Sequence, residues 1–547
     1  MLACPPLLVL VGLSACAPSR SLEGLPPPCV SGYAPCAANG LCVRKLDDAE
    51  AELARERQCN YFEREVRQGG SLVIDVPGAT ADKLPEVTTG SANLEATPRA
   101  VGKTVVVDVR VKHRTSLGDV PEHSVTIKAD IAGAPYTRQF QIIVTAIAAS
   151  PEGLDTNPGS ESEPFRTFRQ AASVAETGDT IVLRNDAFGR PSEPNETNPI
   201  VLPAGVIVHG QVPRHGRPTV DEMTAGAADD TPIRTKLGMP IVLAGGATLD
   251  NLAITHRLAV TTMDSSVQLN DVDLSGGISM AASATSSSIL ISGGSSVYTT
   301  TEPNPILVEA DDAHLEISGS SIIGHGESVT PAPVLRFTGR RQHLTLRGDV
   351  RIQNITSAVA IQLDDAQTVD IQGRERGNLR ILGRLEVTGV DSMVTVANAS
   401  FAQGILNGSG IHFAGRGTSS TMLIDQSQFQ GEGIFLDGPD SKVIVRNTLF
   451  DEITRSGIRV VSGALDLGKM KEPGGNTFWT KADPTPDAPI PVALQIDALE
   501  GMTTVTSSAS TYDGNNPGPC QIQGPTSKEM VIRGFWKIAN RVAIDFY

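Results

Sequence analysis

Nine aliphatic residues, Leu249, Leu269, Ile291, Ile317, Leu346, Ile371, Val396, Ile424 and Val445, recur at separations of 20, 22, 26, 29, 25, 25, 28 and 21 residues. Each lies in a short strand-forming run, and each period holds two or three such runs with no helix long enough to cross over a flat sheet. Self-similarity at this interval without crossover helices describes a solenoid, in which every turn buries its apolar side against its neighbours. The repeat is sharpest where Val396 and Phe401, Ile424 and Phe429, and Val445 and Phe450 bracket a polar turn. A leucine-rich repeat would show L-x-x-L-x-L with its Asn, and a propeller needs about forty residues per blade. Neither pattern is present, which leaves a parallel β-helix, and the ~25-residue period predicts roughly twelve coils. Stacked coils bring like positions together, so aliphatic ladders fill the core, and Asn398, Gln426 and Asn447 are expected to stack as an amide ladder at one corner.

Composition points the same way, with aromatic residues only 4% of the 547 and 53 glycines, which favours brief strands over long helices. The formal net charge of -16 leaves no excess of basic residues to face a phosphate backbone, so no nucleic-acid partner is expected. That charge reads first as solubility.

Ahead of the repeat, residues 7–13 form an apolar stretch too short for a bilayer span of about 20 residues. It runs into Leu13, Ser14, Ala15 and Cys16, which resembles the bacterial lipobox. That resemblance implies a lipoprotein signal peptide over 1–16, lipidation of Cys16 and a membrane held through the lipid anchor. Ala17 carries no aspartate-type retention signal, so the implied place is the cell envelope, as an outer-membrane or surface lipoprotein. An ordinary cleaved secretory peptide is the other reading, and either one exports the protein.

Residues 17–28 are a Pro- and Gly-rich linker. Cys29, Cys36, Cys42 and Cys59 crowd into segment 29–60, which in an oxidising compartment reads as a disulfide framework with three pairings open. A zinc site competes, without C-x-x-C spacing or a nearby His to support it. Cys520 stands apart as a small packing residue. Residues 47–58, rich in Ala, Leu, Glu and Arg, suit a short charged helix. From 61 to 149 the period becomes two, with alternating runs at 71–75, 103–111, 124–131 and 137–147, and this predicts half-buried antiparallel sheet in an Ig-like β-sandwich.

The last region, 150–547, opens with Gly153, Asp155, Asn157, Pro158 and Gly159, then Pro164, Phe165, Arg166, Thr167 and Phe168 before a short helix with Ala171 and Ala172. Gly178, Asp179, Thr180 and Ile181 follow as a strand, and near the other end come Leu465 to Gly468 and the run Pro473, Gly474, Gly475, Asn476, Thr477 and Phe478. These segments resemble the entry and closing coils of pectin-lyase-like β-helix proteins that carry an uncharacterised conserved N-terminal segment. The resemblance covers about 153–547 and implies a right-handed parallel β-helix whose first coil is protected by the helix. It implies no settled activity, because a fold does not supply one.

Two enzymatic readings have candidate residues. Polygalacturonases of this fold use paired Asp residues, a Gly-His-Gly and an Arg-Ile-Lys, and the chain offers Asp311 with Asp312, Gly324-His325-Gly326 and Arg351-Ile352-Gln353. The third Asp motif has no match, Gln353 replaces the lysine, and 13 residues between Asp311 and Gly324 put them on different faces of a coil. A polysaccharide lyase would need acidic residues holding Ca²⁺ and a basic residue of lowered pKa. Asp364 and Asp365, near the coil carrying Arg340, Arg341 and Arg347, come nearest, with ordinary ion pairs as the plain alternative. His209, His256, His325 and His412 are scattered singly, so no metal site and no cofactor beyond Ca²⁺ for a lyase is expected. A binding reading asks for less. It needs an anchored all-β solenoid, preceded by the Cys-rich segment and sandwich, that presents a face to a polysaccharide or an envelope protein. Trp479 and Trp536 are its only tryptophans for sugar stacking.

Overall fold

The computed structural model describes residues 33–35, 42–44 and most of 61–480, with short strands continuing to 538. Cys16, Cys29, Cys36, Cys59, Cys520, His325, Trp536, the 47–58 segment and the side chain of Cys42 lie outside the described residues. Strands β1 (Tyr33–Pro35) and β2 (Cys42–Arg44) pair antiparallel. The chain forms two compact units, one of residues 1–185 and 206–217, the other of 186–205 and 218–547.

In the first unit, β3 (Tyr61–Arg67), β9 (Ala134–Thr145), β8 (Ser124–Ile131) and β5 (Glu86–Thr89) make one sheet, in that order. Strands β4 (Ser71–Val76), β7 (Thr104–Val111) and β6 (Leu94–Val101) make the other. Alternate residues point inward, so Val105, Val107, Val109 and Val111 share one core with Val125, Ile127, Phe140, Ile142 and Val144. One pairing departs from the antiparallel expectation, since β3 runs parallel to β9, with Glu65 opposite Ile143. Alternation reports which side of a strand is buried, and carries no information on the direction of its neighbour.

The same unit holds the entry segment. Strand β10 (Ile147–Ala149) lies parallel to β11 (Thr180–Arg184), which lies parallel to the strand Val206–Gln211. Helix α1 (Phe168–Val174) covers them with Phe168, Ala171 and Ala172, and Thr167 caps it by accepting from the Gln170 amide at 3.1 Å. The residues of the entry motif build the turn itself. Asp155 Oδ1 accepts from the amides of Arg166 and Thr167 at 3.0 and 2.9 Å, and Asn157 donates to the Pro164 carbonyl at 2.8 Å. Gly159 has φ +78, and a Cβ there would fall 2.1 Å from the Phe165 ring, so both conformation and space demand glycine. Asp179, fully buried, accepts from the His113 ring at 2.5 Å and from the Arg114 and Glu176 amides at 3.0 and 2.9 Å, fastening the sandwich loop to the segment before β11.

The second unit is a right-handed parallel β-helix. A typical coil carries Leu335–Phe337 on sheet A, His343–Arg347 on sheet B and Arg351–Asn354 on sheet C, each hydrogen-bonded in parallel to its equivalent on the next coil. The nine repeat-marking aliphatics occupy one column of sheet B, each opposite the next and all fully buried. On sheet C the core carries a ring ladder, Phe401, Phe429, Phe450 and Phe478, with centroids 4.9, 5.1 and 4.4 Å apart and nearly parallel planes. Asn398, Gln426 and Asn447 do share a corner, but what unites them is a left-handed backbone, with φ 55, 47 and 48. At this corner Asn447 Nδ2 donates to Asp425 at 3.0 Å. Asn tolerates left-handed geometry better than most residues, which is why it recurs there.

Candidate functional site

On sheet A the coils share an apolar-x-apolar triplet. Leu335 and Phe337, Ile361 and Leu363, Leu385 and Val387, Ile411 and Phe413, Ile434 and Leu436, and Ile458 and Val460 are all buried in the core. Because successive strand residues point to opposite faces, each middle residue must face outward. Strand register then sets these middle residues in one row: Arg336, Gln362, Glu386, His412, Phe435, Arg459 and Gln495. Neighbours in such a row stand ~4.8 Å apart, the spacing of hydrogen-bonded strands. The preceding coils put Val242, Ala259, Ser279 and Leu307 in the same row, so its polar character begins at Arg336.

The row is organised by side-chain contacts. Arg336 Nη2 lies 3.8 Å from Asp364 Oδ2, and Gln362 donates to the other oxygen of that carboxylate at 2.8 Å. Arg384 Nη2 lies 3.8 Å from Glu386 Oε2, while Glu386 Oε1 is 3.1 Å from His412 Nδ1. A carboxylate only accepts, so the His412 proton sits on Nδ1. That hydrogen bond holds the Glu386 carboxyl below the ordinary glutamate range, and the charges of Arg384 and His412 act in the same direction against a counteracting effect of burial. His412 stacks on Phe435 with centroids 4.6 Å apart, and the Arg459 guanidinium lies 5.1 Å from the same phenyl ring. Farther along, the Ser456 hydroxyl donates to Gln495 Oε1 at 2.8 Å.

This stretch is also short of hydrogen bonds. Among the described residues nine buried side-chain atoms lack a partner, and three of them, Arg336 Nε, Arg384 Nε and His412 Nε2, belong to this row and its flank. Buried polar atoms are normally paired, so these three keep hydrogen-bonding capacity for water or a ligand.

Among the described residues, Asp364 is a sequence candidate that the structure brings into the row's network. Asp311 accepts from the Arg340 amide at 2.7 Å, and both oxygens of Asp312 engage Arg341 at 2.5 Å in an exposed left-handed turn. Arg341 pulls the Asp312 carboxyl below its usual range, the opposite of what a general acid needs. Gly324 pairs with Asn354 on sheet C, in the register that also holds Arg351 and Gln353, whereas Asp311 and Asp312 precede a sheet B strand. Asp365 adjoins Asp364 after a sheet A strand, and Arg347 lies 3.8 Å from Asp370 on sheet B. His412, scattered in sequence, is the histidine that gains a carboxylate and an aromatic partner together. Arg336, Gln362, Glu386, Phe435, Arg459 and Gln495 belong to no sequence motif, although the repeated triplets are the signal that finds them. No group of three or more His, Cys, Asp or Glu side chains suited to a metal ion, and no helix long and apolar enough to cross a membrane, occurs among the described residues.

A family model described as a protein of unknown function, DUF1565, matches residues 151–297. It covers the entry turn, α1 and the first coils, and stops before Arg336. No curated protein matches the chain.

Proposed function

We propose that this protein is an exported, lipid-anchored component of the bacterial cell envelope, at the outer membrane or cell surface, whose β-helix is a binding scaffold for a glycan chain. The observation that carries the reading is the alignment of seven polar or aromatic side chains, Arg336 to Gln495, in one outward row. A row at ~4.8 Å intervals offers an extended ligand a regular line of donors, acceptors and one aromatic platform. The Cys16 lipobox motif supports anchoring, and the Pro-rich linker with the Cys-rich segment supports display away from the bilayer. Hydrolysis or elimination on the Asp311, Asp312, His325, Asp364 and Asp365 candidates has less support, because the described carboxylates are spread over turns and already engaged by arginines, glutamine or backbone.

A panel of immobilised polysaccharides probed with full-length protein in mild detergent tests the reading. Retention on at least one glycan, lost in Phe435→Ala and kept in Asp312→Ala, is expected. Failure to bind any of them, or equal loss in both variants, contradicts it. New reducing ends or unsaturated products that disappear in Asp312→Ala or Asp365→Ala would instead make the protein a depolymerase.

A further inference from the structure

From the charge pattern of this row, and resting on the glycan-binding reading, we infer that its ligand is a neutral, hydroxyl-rich saccharide and not a polyanion. A polyanion site concentrates cations without compensating carboxylates, because attraction scales with the uncompensated charge. Here Arg336 and the flanking Arg384 are each answered by a carboxylate. Arg336 faces Asp364, and Arg384 faces Glu386, each at 3.8 Å. Arg459 lies over the Phe435 ring, 5.1 Å from its centroid. Two guanidinium groups thus meet two carboxylates, and the third rests on an aromatic face.

The geometry of the two pairs bears on the chemistry of recognition. At 3.8 Å a guanidinium nitrogen and a carboxylate oxygen attract one another but are too far apart to share a proper hydrogen bond. A sugar hydroxyl both donates and accepts, so it can accept a hydrogen bond from the guanidinium while donating one to the carboxylate. The two pairs lie on different coils, at multiples of ~4.8 Å, so separate hydroxyls along one saccharide chain can reach them. A uronate or sulfate would meet Asp364 and Glu386 head on, with like-charge repulsion in a half-buried setting. The apolar face of a pyranose has its own counterpart in the stacked His412 and Phe435 rings.

Titration calorimetry on full-length protein distinguishes the classes, using cellohexaose and mannohexaose as neutral probes and hexagalacturonate and hexaguluronate as acidic ones. The neutral probes are expected to bind at least about ten-fold more tightly, a difference of about 1.4 kcal/mol. Raising salt from ~0.05 to ~0.5 M should change their affinity by less than about two-fold, since a neutral ligand carries no charge to screen. Glu386→Gln and, independently, Asp364→Asn should weaken neutral binding while each variant still melts in one cooperative transition above the assay temperature. Tighter, salt-sensitive binding of the acidic probes, strengthened by those variants, would overturn the inference and leave the glycan reading intact. Silence with all four probes and on the polysaccharide panel would bring down both.

Discussion

Glu386 and His412 lie 26 residues apart in the chain, yet stand on neighbouring coils with Oε1 and Nδ1 3.1 Å apart. The contact exists because parallel stacking turns sequence distance into a single strand spacing, and it ties the acidic half of the polar row to its aromatic half.

The pair gives a pH dependence with a definite sign. The His412 hydrogen bond lowers the Glu386 pKa in the folded protein, so its contribution is complete above the unfolded value of about 4.3 and is lost as pH falls through the lower, folded value. Wild type should therefore exceed Glu386→Gln in melting temperature at ~pH 7, with the gap closing by ~pH 3. Melting curves across that range check this, and a gap that widens on acidification contradicts it.

Phe429 sits between Phe401 and Phe450, a fully enclosed ring in a stack. Phe429→Ala should cost about 3–5 kcal/mol through lost burial and the cavity left behind. In a solenoid each coil contacts only its neighbours, so the loss should be local. Hydrogen exchange should accelerate in the strands around 401–450 and stay near wild type at 249–291.

Asp179 is buried and holds a ring nitrogen and two amides. Its truncation leaves all three donors without an acceptor, so Asp179→Ala should destabilise the first unit by about 3–5 kcal/mol. His113→Ala should cost less, and the double variant little more than Asp179→Ala alone, as expected of residues in one network. Denaturant unfolding of the three variants measures the coupling directly.

Asn398 adopts φ 55 at the corner it shares with Gln426 and Asn447. Asn398→Gly should be close to neutral, whereas Asn398→Val should cost about 1–2 kcal/mol because a β-branched residue resists left-handed backbone. Equal stabilities of the two variants would show that side-chain contacts, and not φ, select the residue.

The solenoid was legible in the sequence because burial repeats once per coil. All nine aliphatics named from spacing fall in one column, and the three predicted aliphatic–phenylalanine pairs place Phe401, Phe429 and Phe450 in a second. The row on sheet A was hidden for a physical reason. Its spacings, 26 residues from Arg336 to Gln362 and 24 from there to Glu386, are as regular as the buried column's, but outward positions share no side-chain type, so Arg, Gln and Glu form no motif. Only the register, set by buried neighbours such as Leu335 and Phe337, aligns them. The entry motif was readable for the opposite reason, since Asp155, Asn157, Gly159 and Thr167 bond within one local turn. The antiparallel expectation for the sandwich missed the β3–β9 pairing because strand direction leaves no mark on alternation.

The most direct test of the sheet A row is hydroxyl-radical footprinting of the full-length protein with and without its tightest-binding hexasaccharide. Met393, 55% exposed on a sheet B strand, serves as the internal reference. Glycan bound along the row should lower oxidation of Phe435 and His412 and leave Met393 unchanged. Protection of Met393 with Phe435 and His412 unaffected would place the ligand elsewhere and contradict the assignment of the row.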